Sequence, residues 1–149
     1  MKETLADFSS TLETVMPQLL DITEDDSARR PAPNKWSKKE IIGHLIDSAA
    51  NNHQRFVRVQ FADQLPMPGY EQERWVSAQQ YQNESWTELV QLWRSYNTHL
   101  LHVMAHVPEE AQQRTLTIGG GEPVTLRYVM EDYVRHLKHH LRQVLPDFK

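Results

Sequence analysis

His136 and His140 stand four residues apart in a segment with helical periodicity, so they project from one face of a helix, one turn apart. Two imidazoles at that spacing can share one ion, as they do in helical zinc sites. Each directly precedes a residue of the apolar stripe, Leu137 or Leu141, which puts the pair at the edge of a buried face. His44 precedes Leu45 at a comparable edge of an earlier segment and is the candidate third ligand. Asp47, Ser48, Asn51 and Arg55 follow it at i+3, i+4, i+7 and i+11. Polar groups flanked by apolar ones inside a bundle are costly unless they are hydrogen-bonded or bind something, so this stripe reads as a pocket wall. Three neutral imidazoles would leave positions open on a metal for water or substrate, the arrangement of a catalytic site rather than a closed structural one.

Competing readings exist. One i, i+4 histidine pair on a helix is more often solvated surface than a metal site. His99, His102 and His106 also form an i, i+3, i+7 set on another segment. Three ligands from one helix rarely converge, and His102 points away from the seam, so this trio reads as surface. His53, nine residues beyond His44, faces elsewhere and toward solvent. No Glu-x-x-His pair supports a di-iron carboxylate bundle. Leu137 follows His136 where the H-E-x-x-H motif needs Glu. Gly119-Gly120-Gly121 lacks the Lys-Ser/Thr of a phosphate loop and reads as a turn.

The elements that must position these residues are four amphipathic helices. The first runs from about Lys2 to Ile22, with Leu5, Phe8, Leu12, Val15, Met16 and Leu19 in its seam. Thr23 to Trp36, with Pro31 and Pro33, reads as a loop. The second helix opens on a capping box, Ser37 with Glu40, and continues to about Ala62. A long link through Pro66, Pro68 and Gly69 follows, with a short helical turn around Glu73 to Ser77. The third helix opens on a second capping box, Ser85 with Glu88, and ends before Pro108; Leu89, Leu92 or Trp93, Tyr96, Leu100, Val103 and Val107 mark its seam. Arg114 to Ile118 reads as a short extended or hairpin-like excursion. The fourth helix runs from near Thr125 to about Val144, with Met130, Val134, Leu137, Leu141 and Val144 inward. The expected fold is an all-α four-helix bundle, 1–149 as one domain. The second and third links are long enough to cross it.

Composition excludes several classes. No cysteine is present among 149 residues, so disulfides, zinc–thiolate sites and a cysteine nucleophile are ruled out. The charge of −4, from 16 Lys and Arg against 20 Asp and Glu, offers nothing to neutralise phosphates, and no nucleic-acid partner is expected. No run approaches the ~18 apolar residues of a membrane span, and the N-terminus lacks a signal peptide's apolar core. The expected location is the cytoplasm, with no membrane partner.

Four stretches together resemble the DinB superfamily, in its YfiT-like branch. Trp36-Ser37 followed by His44-Leu45-Ile46-Asp47-Ser48 resembles the branch's W-[ST]…H-[LI]-x-D-S helix, continued by Arg55-Phe56. Pro68-Gly69-Tyr70-Glu71 leading to Trp75 resembles its proline–tyrosine loop. Tyr133 with His136, His139 and His140 resembles its Y-x-x-H-x-x-H-H segment, whose first and last histidines are ligands. Thr125-Leu126 falls where its last helix starts. The resemblance implies a four-helix bundle with unusual crossovers and one divalent ion, Zn²⁺ or Ni²⁺, on His44, His136 and His140, with His139 pointing elsewhere. The chain departs from the pattern at Thr117-Ile118-Gly119, where branch members often carry His-Pro.

Relatives of this kind include transferases that use a low-molecular-weight thiol. The resemblance therefore implies a thiol cosubstrate, with Arg55 pairing with its carboxylate, Asp47 orienting His44 or serving as a base, and Tyr70 and Trp75 covering the pocket beside Asn51. Two alternatives stand beside it. One is a metal-dependent hydrolase using metal-bound water; the other is a non-enzymatic, metal-binding stress-response bundle, expected to be a homodimer.

Overall fold

The structure is a computed structural model that describes residues 1–148. Apolar residues at steps of three and four bury Phe8, Leu12, Val15, Met16 and Leu19 along α1 (Lys2–Leu20). The expected loop after it contains a further helix, α2 (Glu24–Ala28), capped by the Thr23 hydroxyl, which accepts from the Asp26 N–H. The acidic residues there, Glu24, Asp25 and Asp26, occupy its first turn and complement the helix dipole.

The Ser37–Glu40 capping box forms in both directions and starts α3 (Lys38–Arg58). This helix stops short of the expected Ala62 and is capped at Val59. Next come β1 (Leu65–Met67), α4 (Gln72–Gln79) and a 3₁₀ turn at Tyr81–Asn83. The chain continues as α5 (Trp86–Ala105), α6 (Glu109–Gln112), β2 (Thr115–Ile118), β3 (Val124–Thr125) and α7 (Leu126–Val144). The Ser85 hydroxyl caps α5, accepting from the Glu88 N–H. Trp93 rather than Leu92 takes the α5 seam, at 0% against 49% exposure.

β2 and β3 form the expected hairpin, whose turn places Gly119 and Gly120 at φ of +59° and +78°. Positive φ at both central residues is the primed turn that matches strand twist, and it favours glycine. β1 adds to the other edge of β2 in parallel, pairing Pro66 with Thr117. This sheet was not expected, because Pro66 and Pro68 read as breakers. A proline is tolerated on an edge strand, where its missing N–H is not needed.

α3 packs against both α5 and α7, and α1 also packs against both. The order around the bundle is therefore α1, α5, α3, α7, with α1 diagonal to α3 and α5 diagonal to α7. The links that cross the bundle are the first and the third, not the second and third. The α3–α5 connection joins neighbours. This order makes α3 and α7 adjacent, which brings the two histidine-bearing helices together.

Candidate metal centre

His44 lies in the second turn of α3, which packs against α7, and is fully buried (0% exposed). His136 and His140 face it from α7 and are half-buried. One ligating atom from each residue lies within 4.8 Å of the other two. Among the described residues this is the one group of three such side chains so gathered. The Nε2 atoms of His44 and His136 are 3.3 Å apart, and the His140 ring lies 4.7 Å from that of His44 and 4.6 Å from that of His136. Burial, reinforced by the neighbouring imidazoles, holds His44 down to about 3 and His140 to about 4. Burial lowers His136 in the same way. All three rings are therefore neutral at physiological pH, with lone pairs available.

Three uncharged imidazole nitrogens meeting at one point are the donor set of Zn²⁺, Ni²⁺, Fe²⁺ and Cu²⁺ sites, so the residues fit a divalent ion. The buried Nδ1 atoms of His44 and His136 have no hydrogen-bond partner among the described residues, so none of these competes for the orientation of those rings. His140 differs. Its Nδ1 lies 3.4 Å from Gln143 Oε1, and the Gln143 amide is 3.2 Å from Nε2 of the exposed His139. A carboxamide acceptor on Nδ1 directs the other ring nitrogen toward the group. The Trp36 ring covers His44 at 5.1 Å between centroids.

The expected bond from His44 to Asp47 is not formed. Asp47 Oδ1 accepts instead from Gln79 Nε2 at 2.6 Å and Tyr81 Oη at 2.7 Å. Its Oδ2 is buried without a partner among the described residues, and burial raises its pKa against the pull of those two bonds. At i+3, Asp47 is offset by about 60° round the helix from His44, and its carboxylate meets the donors that α4 and the 3₁₀ turn bring to it.

A cleft of about 370 Å³ opens beside His136, walled by Ser48, Asn52 and Arg55 from α3, Tyr70 from the loop, and Tyr133 from α7. Asn51 is not in its wall: its amide turns back one helical turn to the Asp47 carbonyl, at 2.9 Å. Asn52, at i+8 from His44, takes that place, and Tyr128 and Asp132 line the α7 side at i−8 and i−4 from His136. Those spacings were readable in the sequence once α7 was known to face α3. Arg55 is buried (8% exposed) and donates to Asn52 Oδ1 at 3.2 Å and the Pro68 carbonyl at 3.4 Å, with no carboxylate partner among the described residues. Trp75 stays outside the cleft and braces Tyr70, ring to ring at 5.2 Å. His53 is not free in solvent; its Nδ1 meets Tyr96 Oη at 3.2 Å.

A search of curated proteins by sequence finds no match. Among solved structures, the chain is similar to YfiT from Bacillus subtilis, reported as a probable metal-dependent hydrolase with an unusual four-helix bundle topology. The TM-score is 0.86 at 15% identity, covering 97% of this chain and 83% of that one. A mycothiol-dependent maleylpyruvate isomerase superposes with a TM-score of 0.81 at 13% identity, covering 99% of this chain but 64% of the isomerase. The DinB-like protein YjoA from Bacillus subtilis gives 0.69 at 19% identity, covering 97% and 87%. At these identities the likeness establishes the fold. The DinB superfamily profile matches residues 4–144, and the chain belongs to the DinB superfamily.

Proposed function

We propose that this protein is a metal-dependent transferase: His44, His136 and His140 hold one divalent ion, Zn²⁺ or Ni²⁺, and the reaction uses a low-molecular-weight thiol as cosubstrate. The observation that supports this reading is the meeting of three neutral imidazoles beside a cleft whose wall carries a buried, carboxylate-free guanidinium. A divalent ion there supplies Lewis acidity that favours the thiolate of a bound thiol at neutral pH. The chain has no cysteine, so the sulfur must come from outside. Arg55 binds a carboxylate of the thiol through its unused N–H donors. Asn52 holds the guanidinium in place, and Tyr70, braced by Trp75, covers that end of the cleft. Trp36 keeps bulk water from His44.

Hydrolysis is the second reading, and the same donor set favours it. It needs a general base, and Asp47 has one oxygen committed to Tyr81 and Gln79. Thiol dependence separates the two. Metal-loaded protein is assayed with a thiol and an alkylating electrophile, and separately with an activated ester. The transferase reading requires turnover that saturates in thiol and is lost on chelation. Metal-dependent ester turnover indifferent to thiol would replace it with the hydrolase.

A further inference from the structure

Four histidines outside the inner group form a ladder across the α3–α5 face. Ring centroids are 5.1 Å apart for His53 and His99, 6.4 Å for His99 and His102, and 4.3 Å for His102 and His106. His99, His102 and His106 are exposed, and His53 is half-buried. An imidazole ligates through the nitrogen that lacks a proton, and the partner of the other nitrogen decides which one that is.

His106 Nδ1 lies 2.7 Å from the backbone carbonyl of His102. A carbonyl only accepts, so this Nδ1 carries the proton and Nε2 keeps its lone pair. His102 lies one turn back on the same face. Its side chain makes no hydrogen bond among the described residues, so its ring is free to turn toward the same ion. His53 and His99 are arranged differently: their rings meet edge to face at 80°, and Tyr96 pins His53 at the helix interface.

We propose that His102 and His106 form a second divalent-metal site, a two-imidazole chelate on the surface of α5 that takes Cu²⁺, Ni²⁺ or Zn²⁺ with water completing the coordination. The site is independent of the inner group, which sits on α3 and α7. Two exposed donors hold an ion more loosely than three buried ones, so the outer ion exchanges with solvent. Bound by imidazole alone, it follows the usual divalent order, with Cu²⁺ tightest.

The test is calorimetric titration of metal-free full-length protein with Ni²⁺ and then with Cu²⁺ at neutral pH. Three double variants accompany the parent: His102→Ala with His106→Ala, His53→Ala with His99→Ala, and His136→Ala with His140→Ala. The parent is expected to take two ions per chain in a tight and a weak step, the weak step tighter for Cu²⁺. The His102/His106 variant loses the weak step alone, at an unchanged melting temperature. The His53/His99 variant keeps both steps, and the His136/His140 variant keeps the weak one. A parent whose every binding step survives in the His102/His106 variant, or a weak step that vanishes in the His53/His99 variant, would overturn the proposal. Loss or retention of the tight step in the His136/His140 variant reports on the inner group separately.

Discussion

The ring of Tyr81 lies across Gly43, so close that a Cβ on Gly43 would sit 2.1 Å from its Cδ2. That contact seats the Tyr81 hydroxyl on Asp47 at 2.7 Å, and it packs the 3₁₀ turn against α3 one residue before His44. Alanine in place of a mid-helix glycine normally stabilises by about 1 kcal/mol. Here Gly43→Ala is expected to reverse that sign. Overpacking of this kind costs about 1–3 kcal/mol and displaces Tyr81 from Asp47. Thermal melting should show a fall of several degrees; a rise would mean that the ring yields freely.

Asp47 serves Tyr81 and Gln79 rather than His44. Asp47→Asn keeps an acceptor oxygen for both donors and removes a buried charge whose ionisation burial disfavours. The variant is expected to fold with parental metal affinity, measured by chelator competition. Loss of the acceptor behind a ligating histidine typically weakens metal binding about 10–100-fold. A drop of that size in Asp47→Asn would show that Asp47 does orient His44.

The metal-free protein carries a pH signature. His44 is held to about 3 and His140 to about 4, and His136 is also lowered, against 6.5 in the unfolded chain. Above that value both states are neutral and the groups contribute nothing. As pH falls below it, the unfolded chain takes up protons that the fold refuses, and stability drops. Glu24 and Glu40 are lowered from 4.5, so their contribution is lost only at more acid pH. Melting temperature of the metal-free chain should therefore fall between about pH 7 and pH 5. The slope should be shallower in the double variant His136→Gln with His140→Gln. Equal slopes would contradict the burial argument.

Arg55 is expected to select thiols that carry a carboxylate. A charge-assisted hydrogen bond contributes about 1.5–3 kcal/mol, so Arg55→Gln should raise KM for such a thiol about 10–100-fold. The same variant should leave KM for an uncharged thiol such as 2-mercaptoethanol unchanged. An equal loss for both thiols would assign Arg55 to the packing of the Pro68 loop.

The helices and the inner histidines were legible because their signals are local. Ser37 and Glu40 mark a helix start by chemistry alone, and the i, i+4 spacing of His136 and His140 defines a face whatever lies opposite. What was not legible depends on which elements meet. β1 exists because Leu65 to Met67 find β2 some fifty residues further along the chain, and no local pattern overrides the breaker signal of two prolines. The choice of Asn52 over Asn51 as cleft wall is set by how α3 is rotated against α7 and the Tyr70 loop. Asp47 was assigned to His44 by proximity along the helix, whereas Tyr81 and Gln79, more than thirty residues away, hold it. α2 was readable and missed: Thr23 followed by three acidic residues is an N-terminal capping signature.

The central claim is that His44, His136 and His140 hold one ion. The most direct measurement is the metal content, by elemental mass spectrometry, of untagged protein loaded with Zn²⁺ or Ni²⁺. It is made on His102→Ala with His106→Ala as background, so that the α5 surface does not contribute, and compared with the same protein carrying His136→Ala and His140→Ala. Close to one ion per chain is expected in the first and almost none in the second. Absence of metal from the first, or an equal content in both, would contradict it.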